Sequence, residues 1–196
     1  GMDTIRHSIS HVLAYAVKRL FPEAKLAIGP SIANGFYYDF DVKNPFSASD
    51  LDKLEDEMRK IIKENPSIER FELPRDEALE LMKDEPYKVE LINDLPEGEV
   101  ISFYKMGDFT DLCAGPHLMS IKNVKAVKLL KSTGAYWKGN EKNKMLSRIY
   151  GTAFLKKSEL EAQRDLIDIN KLKSLKSFYE SALNKIKELQ ELYNSA

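Results

Sequence analysis

The sequence lacks the features that would direct the protein into a membrane or an oxidising compartment. No apolar run approaches the roughly 20 residues that a membrane-spanning helix needs, and no basic segment followed by an apolar stretch stands at the start. Cys113 is the only cysteine, so no disulfide can form within the chain. We therefore predict a cytoplasmic protein in which this thiol is a packing group, a ligand or a reactive group.

An excess of charge of one sign is also missing. The 30 lysines and arginines are offset by 31 acidic residues, and the net charge of −1 argues against bulk electrostatic binding of nucleic acid. Hydrophobic residues make up 43% of the chain and charged residues 31%, which is the balance of a globular protein. The length of 196 residues suits one compact domain with an appendage.

Hydrophobic periodicity predicts an α+β fold with an antiparallel sheet packed with helices. A first helix is expected to reach about Leu20, capped by Asp3 and Thr4, and a second is expected to start at Ser47 or Ser49. Pro74 opens a third helix, after which a polar connection leads to the next strand. Strands are expected at about residues 26–28, 36–41, 68–73, 100–104, 124–137 and 145–154.

The last part of the chain is different, because no glycine or proline occurs from residue 158 to the end. We predict a domain over residues 3–157 and a helical extension over residues 158–196. Apolar residues follow a heptad spacing in the extension: Leu172, Leu175, Tyr179, Ala182, Ile186, Leu189 and Tyr193. Such a seam requires a partner, which could be residues 160–169 folded back as a helical hairpin, the main domain, or a second chain in a homodimer.

Two short motifs carry groups capable of chemistry. His7 and His11 are four residues apart, so they project from one side of the first helix, roughly opposite its apolar stripe. Alone, they would be interpreted as solvent-facing histidines. Asp111, Cys113 and His117 fall within seven residues of a predicted loop that contains a Gly-Pro turn. Together the two motifs supply the nitrogen and sulfur groups of a zinc site.

At these residues the chain resembles the second additional domain that threonyl- and alanyl-tRNA synthetases share. His7-Ser-Ile-Ser-His11 is similar to its His-x-x-x-His signature, and Cys113-Ala-Gly-Pro-His117 is similar to its Cys-x-x-x-His signature. Several further segments resemble the threonyl branch in order and spacing: residues 27–30, 34–40, 134–139, 143–146 and 148–153. The resemblance covers about residues 4–160 and indicates an editing domain of the threonyl-tRNA synthetase type.

The resemblance implies a deacylase that removes serine from mischarged tRNA for threonine. The catalytic residues that it implies are His7, His11, Lys88, Asp111, Cys113 and His117, and the substrate-binding residues are Tyr38, Asp111 and Trp137. Ester hydrolysis requires an oriented water, a group that handles its proton, and donors that face the developing oxyanion. We expect Lys88 and His117 near the water and the carbonyl. His7 is placed on the terminal ribose and Asp111 on the amino group of the substrate.

The implied partner is the 3′ acceptor end of tRNA, where Tyr136 or Trp137 could stack on the terminal base. Lysines that could contact its phosphates occur on the long hairpin and the last helix: Lys122, Lys125, Lys128, Lys131, Lys138, Lys171, Lys173, Lys176, Lys185 and Lys187. We expect no required cofactor. A zinc ion could be held by His7, His11, Cys113 and His117, although four protein ligands would leave no open position for water.

The chain also departs from the family pattern. Ala114 stands where an arginine is often found, and 196 residues have no room for an ATP-binding aminoacylation core, so we expect a freestanding editing factor. Two alternatives stay open. One is a zinc-dependent deacylase of the alanyl type, and the other is a tRNA-binding module that has lost catalysis.

Overall fold

The fold is of the α+β class with antiparallel sheets, which confirms the prediction. The computed structural model describes residues 1–196, and these form two compact units, Gly1–Leu155 and Lys156–Ala196. None of the helices combines the length and the apolar character needed to cross a membrane. In chain order the elements are α1 (Met2–Leu20), β1 (Lys25–Leu26), β2 (Ser31–Ile32), β3 (Gly35–Asp41), α2 (Ala48–Glu64), β4 (Ile68–Glu72), α3 (Arg75–Leu81), α4 (Pro86–Asp94), β5 (Ser102–Met106), β6 (Phe109–Leu112), β7 (Ala126–Tyr136), β8 (Met145–Phe154) and α5 (Lys157–Ser195).

The larger sheet centres on β3 and β8. Its strand order is β1-β3-β8-β7, with β2 also paired to β3, and all pairs are antiparallel. The predicted turn at Asn34 forms, and Gly35 pairs with Ile32 across it. The long β7–β8 hairpin is also present, and a bulge between Leu129 and Lys131 shifts its register. Side chains from this sheet, α1 and α2 form the main hydrophobic core.

Helix α1 differs from the prediction at its start and in its surroundings. It begins at Met2 with Gly1 as N-cap and has no side-chain cap, so capping by Asp3 and Thr4 is wrong. The helix is also buried on nearly all sides between residues 5 and 17, polar positions included. His11 is buried and His7 is partly buried, because other elements cover the side of α1 that lies opposite its apolar stripe.

Helix α2 follows the sequence signal closely. The Ser47 side chain accepts a hydrogen bond from the backbone N–H of Asp50, and the Asp50 carboxylate accepts one from the backbone N–H of Ser47. This reciprocal capping box satisfies two backbone donors at the start of the helix. The apolar face buries Leu54, Met58 and Ile61 against the main core.

The second sheet is smaller and contains a strand that the sequence did not predict. Its strand order is β4-β5-β6, and both pairs are antiparallel. Strand β6 falls inside the segment predicted as a loop, so that prediction is wrong for Asp111 and Leu112. Helix α4 replaces the predicted polar connection, and it starts with Pro86 in the first turn, where the missing N–H costs nothing.

Helix α5 forms the second unit by itself. It runs without a break over 39 residues, and none of them is buried. The predicted helical hairpin is therefore wrong, because the segment lacks the glycine or proline with which a chain usually turns back. Its large apolar side chains are exposed, including Leu172, Leu175 and Tyr179 of the heptad seam. Pairing with a second chain stays a prediction.

Candidate active site

Helix α1 contributes the two histidines. Their ring centroids are 4.9 Å apart, and the rings meet edge to face. Two serines between them fix the helix to its surroundings. The Ser10 hydroxyl lies 2.7 Å from the backbone oxygen of Gly29, and the Ser8 hydroxyl oxygen accepts a hydrogen bond from the backbone N–H of Leu118. Because residue 118 follows the second motif directly, this bond holds the two motifs together.

Strand β6 and the loop after it present the second motif. The loop begins with Cys113, whose backbone N–H donates to the Ser102 carbonyl, while the Ser102 hydroxyl donates to the Cys113 carbonyl. Gly115 has a φ of +76°, and a Cβ atom there would lie 2.2 Å from the Tyr104 hydroxyl oxygen. Only glycine fits such a position. The ring of Tyr104 in turn packs on His117, with a centroid distance of 3.9 Å.

Asp111 is the centre of a buried polar network. It is 1% exposed, and three groups surround its carboxylate. The His11 Nδ1 lies 2.7 Å from Oδ2, and the Lys88 ammonium lies 2.8 Å from Oδ1. The Tyr38 hydroxyl donates to Oδ2 at 2.6 Å. Both carboxylate oxygens thus already have charged or polar partners within the protein. This argues against direct contact between Asp111 and the amino group of a substrate.

Lys88 reaches this network from α4, which other residues hold in place. Glu85 precedes the helix, and its carboxylate accepts hydrogen bonds from the backbone N–H of Leu26 and from the Lys18 ammonium. Further along, the Trp137 indole N–H donates to Glu90 at 3.0 Å. The contacts of Glu85 and Glu90 therefore fix α4 on either side of Lys88, which is 3% exposed.

Cys113 is the centre of a second group, which is only partly buried. His7 Nε2 lies 2.9 Å from its Sγ, and His117 Nε2 lies 3.3 Å from it. The backbone N–H of Gly115 also donates to the sulfur, at 3.2 Å. His11 links the two groups, because its ring lies 4.5 Å from that of His117 between their centroids.

The surroundings shift the pKa values of these groups in opposite directions. Burial would lower the pKa of His11, but the adjacent Asp111 carboxylate outweighs burial and raises it to about 9. Burial would raise the pKa of the Asp111 carboxyl, but Lys88 and His11 hold it below its usual range. Burial would also raise the pKa of Cys113, but the imidazoles around the sulfur lower it to about 4. The pKa of His117 is lowered, mainly by burial.

The residues present fit a zinc ion in the chemistry of their ligand atoms. One ligand atom each from His7, His11, Cys113 and His117 lies within 4.8 Å of the others. His11 Nε2 is buried without a hydrogen-bond partner, while its Nδ1 faces Asp111. That is the usual arrangement behind a metal-binding histidine. The distances of 2.9 and 3.3 Å from sulfur to nitrogen are shorter than the about 3.6 Å between ligands of tetrahedral zinc.

The structure therefore brings together seven of the eight predicted site residues. The exception is Trp137, which packs in a separate cluster with Ala27 and Leu146. Tyr104 was missed, although a two-residue Gly-Asp turn at residues 107–108 could have predicted the hairpin in which it pairs with Asp111. No sequence signal marked Glu85 as the anchor of α4.

One part of the chain matches a known domain family. Residues 101–150, which include the second motif, match the family described as the threonyl and alanyl tRNA synthetase second additional domain.

Particular relatives extend the similarity to most of the chain. The chain is 78% identical over 168 residues to a threonine–tRNA ligase of Clostridium botulinum (strain Eklund 17B / Type B), which covers 86% of this chain and 26% of that protein. A threonine–tRNA ligase of Clostridium perfringens is 76% identical over 86% of this chain and 26% of that protein. One of Acetivibrio thermocellus is 68% identical over 83% of this chain and 26% of that protein. The predicted resemblance to a threonyl-tRNA synthetase editing domain is confirmed. The chain spans about a quarter of the length of these relatives.

Proposed function

We propose that this protein is an editing deacylase that hydrolyses the ester of serine on mischarged tRNA for threonine. The observation that carries the proposal is the pairing of a buried Asp111 network with a partly exposed group of His7, Cys113 and His117. Side chains from α1, α4 and β6 converge there, and the similarity to threonine–tRNA ligases supplies the substrate class.

The buried network sets the charge of the site. Lys88 and His11 carry positive charge against the single negative charge of Asp111, and their nitrogens lie 2.8 and 2.7 Å from its oxygens in a place that water barely reaches. Fixed positive groups of this kind favour a reaction in which a carbonyl oxygen gains negative charge. In this proposal Lys88 and His11 stabilise the negative charge that develops on the carbonyl oxygen, and Asp111 orients both of them.

The partly exposed group handles the water. Burial lowers the pKa of His117, so its imidazole is neutral at neutral pH and can accept a proton. The proton leaves the attacking water as the new C–O bond forms, and it reaches the ribose oxygen when the ester bond breaks. His7 lies across the sulfur from His117 and is the group that we place on the terminal ribose. When bound, a zinc ion would add Lewis-acid polarisation at these residues.

The lowered pKa of Cys113 favours a second candidate mechanism. A thiolate among three imidazoles resembles an activated nucleophile. Attack by sulfur on the ester carbonyl would form a thioester and break the bond to the ribose oxygen, which takes a proton from a neighbouring imidazolium, and water would then cleave the thioester. Rapid acid quenching of the enzyme during turnover of seryl-tRNA distinguishes the two routes. Water attack predicts no acyl-Cys113 and a Cys113→Ala variant that keeps part of its activity. A trapped thioester and a dead alanine variant would establish the covalent route.

The function itself is tested by incubating the protein with serine-charged tRNA for threonine and following the release of serine. The matched controls are Lys88→Ala, which removes a buried site cation, and Lys105→Ala, which removes an exposed lysine of β5. We expect hydrolysis by the wild type and by Lys105→Ala but not by Lys88→Ala. Equal rates with and without the protein would contradict the proposal and favour a tRNA-binding module.

A further inference from the structure

Arg6 is a buried cation that the fold leaves without a counterion. It is 8% exposed, and its Nε–H is buried with no hydrogen-bond partner. Its guanidinium lies over the ring of Phe154, with 5.4 Å from Cζ to the ring centroid. The other buried charged side chains each form an ion pair: His11, Asp39, Glu55, Glu85, Lys88 and Asp111.

An unpaired arginine in this position works against folding. The guanidinium keeps its charge in proteins, so it cannot escape the cost of burial by losing a proton. A single aromatic face offsets only part of that cost. A leucine of similar reach would pack there without the penalty. The residue is therefore better explained by an anion that binds to it than by a role in holding the fold together.

The position of Arg6 indicates which anion this is. It directly precedes His7 in α1, and consecutive helix residues project about 100° apart. Arg6 therefore lies at the flank of the candidate active site and does not point into it. An anion at this place belongs to a part of the substrate next to the reacting ester. The planar guanidinium can form two parallel hydrogen bonds with a phosphate.

We propose that Arg6 binds a backbone phosphodiester of the tRNA acceptor strand, beside the terminal nucleotide that carries the amino acid. The inference rests on the proposed function for the identity of the substrate. With a net charge of −1, the protein has little overall attraction for nucleic acid. A single arginine that has no counterion within the protein can then supply a phosphate contact.

The test compares Arg6→Leu and Arg6→Lys with Arg70→Leu, a control in which an exposed arginine of β4 loses its ion pair with Glu72. The dissociation constant of uncharged tRNA for threonine is measured from 50 to 300 mM salt, and each variant is melted. We expect Arg6→Leu to bind about tenfold more weakly, to lower the salt slope by about one, and to melt at the same or a higher temperature. Arg6→Lys should keep the slope, and Arg70→Leu should match the wild type.

Wild-type affinity and salt slope in Arg6→Leu would overturn the inference. If Arg6→Leu weakens both folding and tRNA binding, the Arg6→Lys variant separates the two causes. A wild-type salt dependence of tRNA binding in Arg6→Lys supports a phosphate contact, and a reduced salt dependence contradicts it. Binding of uncharged tRNA needs no hydrolysis, so the two proposals fail separately. Arg6-dependent binding without serine release refutes only the deacylase. Serine release with Arg6-independent binding refutes only the inference, and absence of tRNA binding in the wild type refutes both.

Discussion

The two halves of the candidate active site differ in burial and in how their charges are paired. Around Asp111, every charge has a buried partner at hydrogen-bond distance, and the exposed fraction of Lys88 is 3%. Around Cys113, the groups are partly exposed, and the Cys113 sulfur lies 2.9 Å from His7 Nε2 and 3.3 Å from His117 Nε2. The first half therefore resembles a structural ion-pair network, whereas the second retains groups that can respond to a substrate.

This difference predicts that variants in the two halves fail in different ways. Loss of a buried partner should affect both folding and activity, because a buried charge is left uncompensated. Loss of a partly exposed imidazole should affect the chemical step alone.

The largest effect is expected for Asp111→Asn. The variant leaves the Lys88 ammonium buried without a negative partner, so the free energy of unfolding should fall by about 3–5 kcal/mol and serine release should be lost. Urea denaturation followed by circular dichroism measures the first effect. In the double variant Asp111→Asn with Lys88→Met, much of the stability should return while activity stays absent. A single variant as stable as the wild type would show that the network is not a buried ion pair.

Alanine in place of His7 or His117 should affect catalysis without affecting the fold. We expect each variant to lower the turnover of seryl-tRNA by roughly 10²–10⁴-fold, which is typical of a lost acid–base or hydrogen-bonding group. The tRNA affinity should change little, and the melting temperature should stay within a few degrees. Single-turnover rates, tRNA binding and melting of the same preparations check these three expectations. Large stability losses would remove the distinction between the two halves.

Removal of metal should have a small effect. The sulfur and nitrogen atoms already meet at hydrogen-bond distances, and a zinc ion held by four protein residues would leave no position for water. We therefore expect any zinc to be weakly held and serine release to survive dialysis against a chelator. Metal analysis before and after dialysis, with rates on both samples, provides the measurement. Stoichiometric zinc whose removal abolishes activity would instead support the alanyl-type alternative.

A modest effect is expected for Trp137→Phe, which removes the hydrogen bond from the indole N–H to Glu90 and keeps an aromatic ring. A lost hydrogen bond of this kind costs about 1 kcal/mol. Because Glu90 lies on α4 with Lys88, serine release should slow by severalfold with unchanged tRNA affinity. Trp137 is the only tryptophan, so its fluorescence in the wild type reports on the same contact. Weaker tRNA binding would instead support the predicted contact between Trp137 and the terminal base.

The sequence predicted which residues lie together better than it predicted their burial and their contacts. The spacing of His7 and His11, the second motif and the capping box at Ser47 act locally, so they can be recognised along the chain. The burial of His11 depends on what covers α1, which periodicity within one helix cannot show. The same limit hid the contacts of Asp111, because its partners Tyr38 and Lys88 are 73 and 23 residues away along the chain.

The most direct test of the proposed function is the rate of amino-acid release under single-turnover conditions from serine-, threonine- and alanine-charged tRNA. A site that distinguishes side chains differing by one methyl group can favour the smaller one by roughly 10–200-fold. We predict that serine is released faster than threonine within that range, with the same tRNA for threonine in both reactions. Equal release of serine and threonine, or release of alanine alone, would contradict the account.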